Sequence, residues 1–294
     1  MEISLNQKVM MKLLEMSDIL EQQDANPFRV RAYRRAADTL STLRDDIGEL
    51  LERKGQEGLI ALPNIGKGIA ASIAEMVATG RWAQLDRLRG SLDPVHLFQT
   101  VPGIGLDLAA RIHDDLHLDT LEALESAAYD GRLARVRGIG ERRISALRAT
   151  LSSMLGSARS SARPVTRDGP DVDLLLEVDR LYLEKAAAGE LPLIAPRRFN
   201  PDGMAWLPVL HAERSGWHFT VMYSNTARAH QLEKTRDWVV IYFYDDHHQE
   251  GQHTVVTETH GPLHGRRVIR GRENACRDYY SDLWTTAHTE ATEP

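Results

Sequence analysis

Three short turns in the first half of the chain set the terms for the segments around them. Residues 61–75 read ALPNIGKGIAASIAE, residues 101–111 read VPGIGLDLAAR and residues 136–143 read VRGIGERR. Each tight turn, Ile65-Gly66, Gly103-Ile104-Gly105 or Gly138-Ile139-Gly140, is entered from an apolar helical stretch and left by one that starts with small or charged residues. Glycine permits a positive φ and lets the backbone lie close to a phosphate, while the following helix aims free N–H groups and its positive dipole end outward. The isoleucine is expected to turn inward and pin the two helices together. The pattern predicts helix-hairpin-helix units that hold a phosphate backbone without reading bases. An ordinary glycine cap between packed helices accounts for one copy; three at near-even spacing point to a repeated unit.

Composition sets outer bounds. With 294 residues, 42% of them hydrophobic, the chain can bury ordinary cores, and its length favours two domains. A net charge of -6 supplies no global basic field, so contact with nucleic acid must come from local clusters. The single cysteine, Cys276, excludes an internal disulfide framework and a cysteine-rich zinc site, and fits a reducing compartment. The opening MEISLNQKVMMKLLEM interrupts its apolar positions with polar ones, so neither a signal peptide nor a membrane anchor is expected, and the chain reads as cytoplasmic.

Val9, Leu13, Met16 and Leu20 recur at helical spacing, predicting an amphipathic scaffold helix over residues 6–23. Asn26-Pro27 then starts a helix carrying Arg29, Arg31, Arg34 and Arg35. So many guanidinium groups beside a phosphate-sized turn suit backbone contact; the alternative is a solvated face paired to Asp38, Asp45 and Asp46. Further helices are expected over about 44–53, 68–79 with Gly80 as cap, 85–88, 95–99 and 120–128, with an exit helix from the third turn to about Met154. Residues 1–155 read as one all-helical, tandem helix-hairpin-helix domain.

The stretches ANPFRVRAYRRAA, LPNIGKGIAASIAEMVATG, VPGIGLDLAARI and RGIGERR together resemble the amino-terminal, DNA-gripping region of family X DNA polymerases, particularly their bacterial branch, over roughly residues 5–155. The resemblance implies binding to gapped or nicked DNA, with the first hairpin near the downstream 5′-phosphate and the second across the gap. It also implies a monovalent cation held by carbonyls of the hairpin turns. By motif position Arg29, Tyr33 and Arg34 match residues around the 5′-phosphate pocket, and Lys67 sits where turn meets phosphate. Arg31, Arg35, Asn64, Gly66, Gly68, Gly103, Gly105, Gly138, Gly140, Arg142 and Arg143 complete the expected DNA-binding set.

Two departures limit what the resemblance carries over. In family members with deoxyribose-phosphate lyase activity a lysine after the first hairpin forms a Schiff base, and the aligned residue here is Ser72, which cannot. Lys67 lies nearby, but a lysine there is more simply a phosphate contact. The polymerase palm is also missing: family X catalysis needs a nucleotide-holding Gly-Ser pair and three aspartates for two metal ions, and this chain offers only Asp171-Val172-Asp173 at the head of a helical run. Those two acids read as a helix cap and first-turn charge. Neither polymerase nor lyase activity is expected.

Residues 156–170, GSARSSARPVTRDGP, read as a linker whose Arg159, Arg163 and Arg167 form a basic tether or track a nucleic-acid backbone. Residues 171–294 then change character. A helix over 174–188 ends at Gly189, and LPLIAPRRFNPDGMAWLPVL reads as an irregular segment. Strands are expected over 217–224, 238–244, 253–259 and 266–269, a short helix over 225–233, and a closing helix from Arg272 to about Trp284. The second domain is therefore expected to be α+β, built on a small, mostly antiparallel sheet. Arg197, Arg198, Arg228, His230, Lys234, Arg236, Arg266, Arg267, Arg270 and Arg272 beside Trp206, Trp217 and Trp238 could pair phosphates and stack bases, or simply snorkel around core aromatics. Asp245-Asp246-His247-His248 with His253 reads more readily as a polar hairpin loop than as a metal site.

The sequence thus predicts a cytoplasmic protein that binds gapped, nicked or branched DNA by shape and phosphate contact, in repair or recombination, with no membrane association. Two rivals stand beside it. One is a metal-dependent nuclease or other DNA-processing enzyme with its active site in the C-terminal domain, using Asp245, Asp246, His247 or His248; the other is a protein-interaction module whose hairpins are packing units.

Overall fold

The computed structural model describes residues 3–91, 94–154, 169–245 and 251–290. Nearly all of the expected linker, with Arg159, Arg163 and Arg167, lies outside the described residues, as do Asp246, His247 and His248.

The helical half is built by explicit start and stop signals. α1 (Leu5–Gln22) opens on a capping box in which Ser4 and Gln7 bond each other's backbone. α2 (Pro27–Thr42) has Asn26 as its cap, accepting from the Phe28 N–H, with proline next in line. α3 (Ile47–Ile60) starts later than expected because the Asp46 carboxylate accepts from the N–H groups of Gly48 and Glu49. It also runs past Arg53, through a kink at Gly55 where φ is 62°. α4 (Lys67–Thr79) closes on Gly80 in the left-handed conformation. α5 (Ala83–Leu88), α6 (Pro94–Gln99), α7 (Leu106–Leu116), α8 (Leu121–Tyr129), a 3₁₀ turn at Arg132–Arg135 and α9 (Glu141–Met154) complete this half.

The second half is an antiparallel meander with helices. After Asp171, whose side chain makes no cap bond, α10 (Val172–Ala187) leads into β1 (Leu193–Ile194), β2 (Leu207–Arg214) and β3 (Trp217–Tyr223). Then follow α11 (Ala227–Gln231), β4 (Val239–Tyr244), β5 (Gly251–Thr257), a 3₁₀ turn at Gly261–Leu263, β6 (Arg267–Ile269) and α12 (Glu273–Glu290). The six strands lie in chain order, every neighbouring pair antiparallel. Two of them, β1 and β2, correct the sequence reading, in which this segment is irregular. Pro208 hides β2: it pairs only with Leu193 on the two-residue edge strand, and the ladder to β3 begins one residue later, at Val209.

Three cores organise the chain. One gathers α6–α9 around Phe98, Ile112, Leu121 and Leu147. A second places α10 and α12 against one face of the sheet, through Leu175, Tyr182, Phe219, Val221, Ile241, Val255 and Cys276. The third joins the two halves: Leu13, Met16, Leu40, Ile73 and Trp82 share it with Leu207, Val209, Met222, Val240 and Tyr242 from the other sheet face. Residues 239–243 of β4 alternate strictly between the second and third cores, which explains why VVIYF is apolar throughout rather than at every second position.

Candidate nucleic-acid interface

Each hairpin turn is built by the same backbone device. The N–H of Ile65, Ile104 and Ile139 donates to the carbonyl three residues earlier, at Leu62, Val101 and Val136. The third residue of each turn has positive φ: 59° at Asn64, 90° at Gly103 and 90° at Gly138. Pro63 and Pro102 occupy the second position in two of them, the signature of a type II turn. The first turn therefore substitutes asparagine, the side chain most tolerant of left-handed backbone, where its copies use glycine. Gly66 and Gly105, by contrast, have ordinary negative φ and act as N-caps. The three isoleucines point inward as expected, at 3%, 5% and 7% exposure.

Because Gly66 and Gly105 carry no side chain, the first N–H groups of α4 and α7 have no side-chain cap. Those groups and the helix dipole are what an anion uses. The turns differ in charge. α4 has no acid in its first turn and begins with exposed Lys67, whereas α7 carries Asp107 there and α9 carries Glu141. Gly68 is half-buried in the first turn of α4, and Gly103, Gly105, Gly138 and Gly140 are exposed. At the third turn Arg142 and Arg143 are exposed, and Arg143 donates to the Gly138 carbonyl at 2.9 Å. Arg111, which the sequence did not single out, lies beside Gly138, its guanidinium 3.4 Å from where a Cβ would stand.

The arginines of α2 divide. Arg31 and Arg35 are exposed and lie one helical turn apart, on a row that continues to Thr39. Thr39 Oγ1 donates to the Pro63 carbonyl at 2.9 Å and lies 3.3 Å from Asn64 Nδ2, so the row runs straight to the first hairpin turn. Arg31 also stacks on Phe28, a 74% exposed ring at the head of α2. Arg34 instead pairs with Glu21 at 2.7 Å and Asp18 at 3.4 Å on α1, which raises its pKa. Arg29 turns to the seam between the halves, its guanidinium 5.1 Å from the Tyr244 ring centre and 6.0 Å from that of Tyr33. Tyr33 is buried, edge-on to Trp82, with its hydroxyl 3.3 Å from Gln84 Oε1. The geometry thus gathers Arg31, Arg35, Asn64, Gly66, Lys67 and Gly68 on one surface, and holds Arg29, Tyr33 and Arg34 in other contacts. Ser72 is half-buried and its hydroxyl bonds back to the Gly68 carbonyl at 3.0 Å.

Among the described residues no group of three or more histidines, cysteines and acids is placed to hold a metal, and no helix is long and apolar enough to cross a membrane. The seam carries its own buried chemistry. Asp119 accepts from the Tyr242 hydroxyl at 2.6 Å and faces His113 Nε2 at 3.1 Å. Burial works against its charge, but His113, Tyr242 and Arg87 hold its pKa below the ordinary value. Gln252 spans the same junction, donating to the His117 carbonyl and accepting from the Asp119 N–H. No sequence pattern marks the Tyr242 and Gln252 contacts, because each joins residues more than a hundred positions apart.

Comparison with known proteins agrees with the geometry. Residues 4–82 match the family described as "Helix-hairpin-helix domain", and residues 95–152 match "SAM-like Helix-hairpin-helix tandem". The amino-terminal part is 28% identical over 141 residues to the DNA polymerase/3′-5′ exonuclease PolX of Bacillus subtilis (strain 168). That similarity covers 47% of this chain and 24% of the relative, so the chain spans about a quarter of the protein it matches. Together these similarities support DNA binding by the helical half. The first half of the chain is a tandem helix-hairpin-helix region similar to that of a family X DNA polymerase.

Proposed function

We propose that this protein binds gapped, nicked or branched DNA without sequence preference and acts in DNA repair or recombination in the cytoplasm. The observation that carries the reading is the surface on which Arg31 and Arg35 lead through Thr39 to the first turn and Lys67, at a helix start with no side-chain cap and no acid in its first turn. Guanidinium groups and free N–H groups on one surface match a run of phosphates and carry no base information. The second and third hairpins hold the backbone further along, through the turns at Gly103, Gly105, Gly138 and Gly140 and through Arg142 and Arg143. The functional division follows the expected domains, with residues 1–155 gripping the duplex and residues 171–294 serving as an adaptor, a strand-holding surface or a catalytic unit.

The test is binding to paired, nicked, one-nucleotide-gapped and single-stranded DNA across a salt series, with Mg²⁺ present and the DNA sized afterwards. The wild type should prefer the gapped form. Replacing Arg31, Arg35 and Lys67 by alanine should flatten the log–log salt slope by about 2 to 3, at about 0.9 per phosphate contact. No binding at low salt, or a triple variant that binds like wild type, would refute the reading. Shortened DNA would make residues 171–294 an enzyme.

A further inference from the structure

Of the three tryptophans near basic residues, two are packing groups: Trp217 lies 5.6 Å edge-on to Phe243, and Trp238 lies 5.1 Å from His117. Trp206 belongs to a cluster of another kind. His230 of α11 stands 4.4 Å from Phe199 at a 35° tilt and meets Trp206 edge-on at 6.4 Å. Phe199 is 45% exposed, with its φ at 54°. A left-handed backbone is uncommon for a bulky aromatic and persists only where its surroundings enforce it.

Those surroundings are specific. Asn225 Nδ2 donates to the Arg198 carbonyl at 3.1 Å, while its Oδ1 binds His230 Nε2 at 2.6 Å. One asparagine therefore fixes both the strained stretch that displays Phe199 and the ring behind it. The Asn200 side chain closes the next turn on both backbone groups of Met204. On the other side the Arg197 N–H donates to the Gly90 carbonyl at 2.5 Å. Gly90 has φ of 72°, and a Cβ there would lie 2.4 Å from the Ala195 carbonyl oxygen, so the segment is seated on the end of α5 by an approach only glycine permits. The Arg198 guanidinium sits 5.2 Å over the Phe199 ring, Arg197 is exposed, and neither forms an ion pair among the described residues.

A strained, pre-set, outward-facing aromatic ring beside two arginines without ion pairs matches a flat apolar group attached to an anion. We propose that Phe199, backed by His230 and flanked by Arg197 and Arg198, is a stacking site for an unpaired nucleobase of DNA. It rests on the DNA-binding reading above and deepens it. The hairpins hold the paired backbone, and this site takes the base that a gap or branch leaves without a partner. Stacking of this kind tolerates any base, because every base has a π-face.

The test uses the full chain and a duplex with one unpaired 2-aminopurine in a gap, beside the same duplex fully paired. Wild type should quench the unpaired fluorophore and prefer the gapped duplex. Phe199→Ala should lose the quench and about tenfold of that preference, with paired-duplex affinity and salt slope unchanged, and Phe199→Trp should restore both. Quench and preference that survive Phe199→Ala would overturn the stacking site and leave the hairpin reading standing. Wild type that binds paired duplex but never quenches would do the same. Wild type that binds no DNA would end both.

Discussion

Val239, Ile241 and Phe243 turn one side of β4 toward α10 and α12, while Val240, Tyr242 and Tyr244 turn the other toward the hairpin helices. The first side is closed mainly by apolar contact, joined by the Tyr182 hydroxyl, which donates to the Pro208 carbonyl and accepts from the Tyr223 N–H, and by an ionic cluster at its edge: Arg267 forks onto Asp179 at 2.7 and 2.8 Å and reaches Asp237 at 2.9 Å. The second side mixes apolar area with directed pairs, His211 to Gln23 at 2.9 Å, Asn26 to Glu213 at 2.7 Å and Tyr242 to Asp119. Apolar packing tolerates small slips, whereas hydrogen bonds at fixed positions do not. One face therefore makes the sheet stable, and the other fixes where the hairpins stand on it.

The largest expected effect tests the ionic cluster on the first face. Arg267→Met leaves the buried Asp179 carboxylate without its partner, and burial already pushes that carboxyl's pKa up. Urea denaturation should report a loss of about 3–5 kcal/mol; a loss under about 1 kcal/mol would mean the cluster is peripheral.

Acid should act on both faces. His211, on the hairpin side, has its pKa pushed down to about 3 by burial and by Arg29. His253, on the other side, is pushed down to about 4 by burial and by the charges of Arg272 and Arg132. The unfolded chain binds these protons near pH 6.5, so the stability they contribute is complete above that value and is lost as pH falls toward 4 and 3. At pH 5 each should cost about 2 kcal/mol relative to pH 7. His113 runs the other way: burial opposes its charge, but Asp119 and Asp114 outweigh it and raise its pKa, so its contribution is complete below 6.5 and fades as pH climbs. Denaturation at pH 7 and pH 5 should show a net acid loss that His211→Asn roughly halves. An unchanged loss in that variant would remove His211 from the account.

The smallest effect isolates a directed bond across the seam. Tyr242→Phe keeps the ring and removes the hydroxyl from Asp119, for about 1.5 kcal/mol. Hydrogen exchange should quicken at the Asp119 amide, which donates to Gln252, and stay unchanged at Val221 and Ile241. Equal quickening everywhere would erase the distinction between the faces.

The hairpins are legible in the sequence because their signals are local. A positive-φ residue, an inward isoleucine and a capless helix start all fall within five residues, and the first copy stands out even though Asn64 replaces glycine. Of the expected contacts, Arg31, Arg35 and Lys67 lie on the surface that the pattern implies. The direction of Arg29 is hidden, because it depends on Tyr244, two hundred residues away. Phe199 is equally silent, since nothing in Arg-Arg-Phe-Asn marks the phenylalanine for left-handed backbone. Four strands show through their β-branched runs, while β1 is too short and β2 too disguised by Pro208.

The third core also sets an order of assembly on the ribosome. Leu88 is made early, yet the residues that finish its surroundings end at Tyr242, roughly 10 to 30 s later at ordinary elongation rates. Throughout that interval the first hairpin is present with one apolar flank open to the cell, whereas α6–α9 can close on their own. The nascent chain therefore waits longest at the hairpin made first.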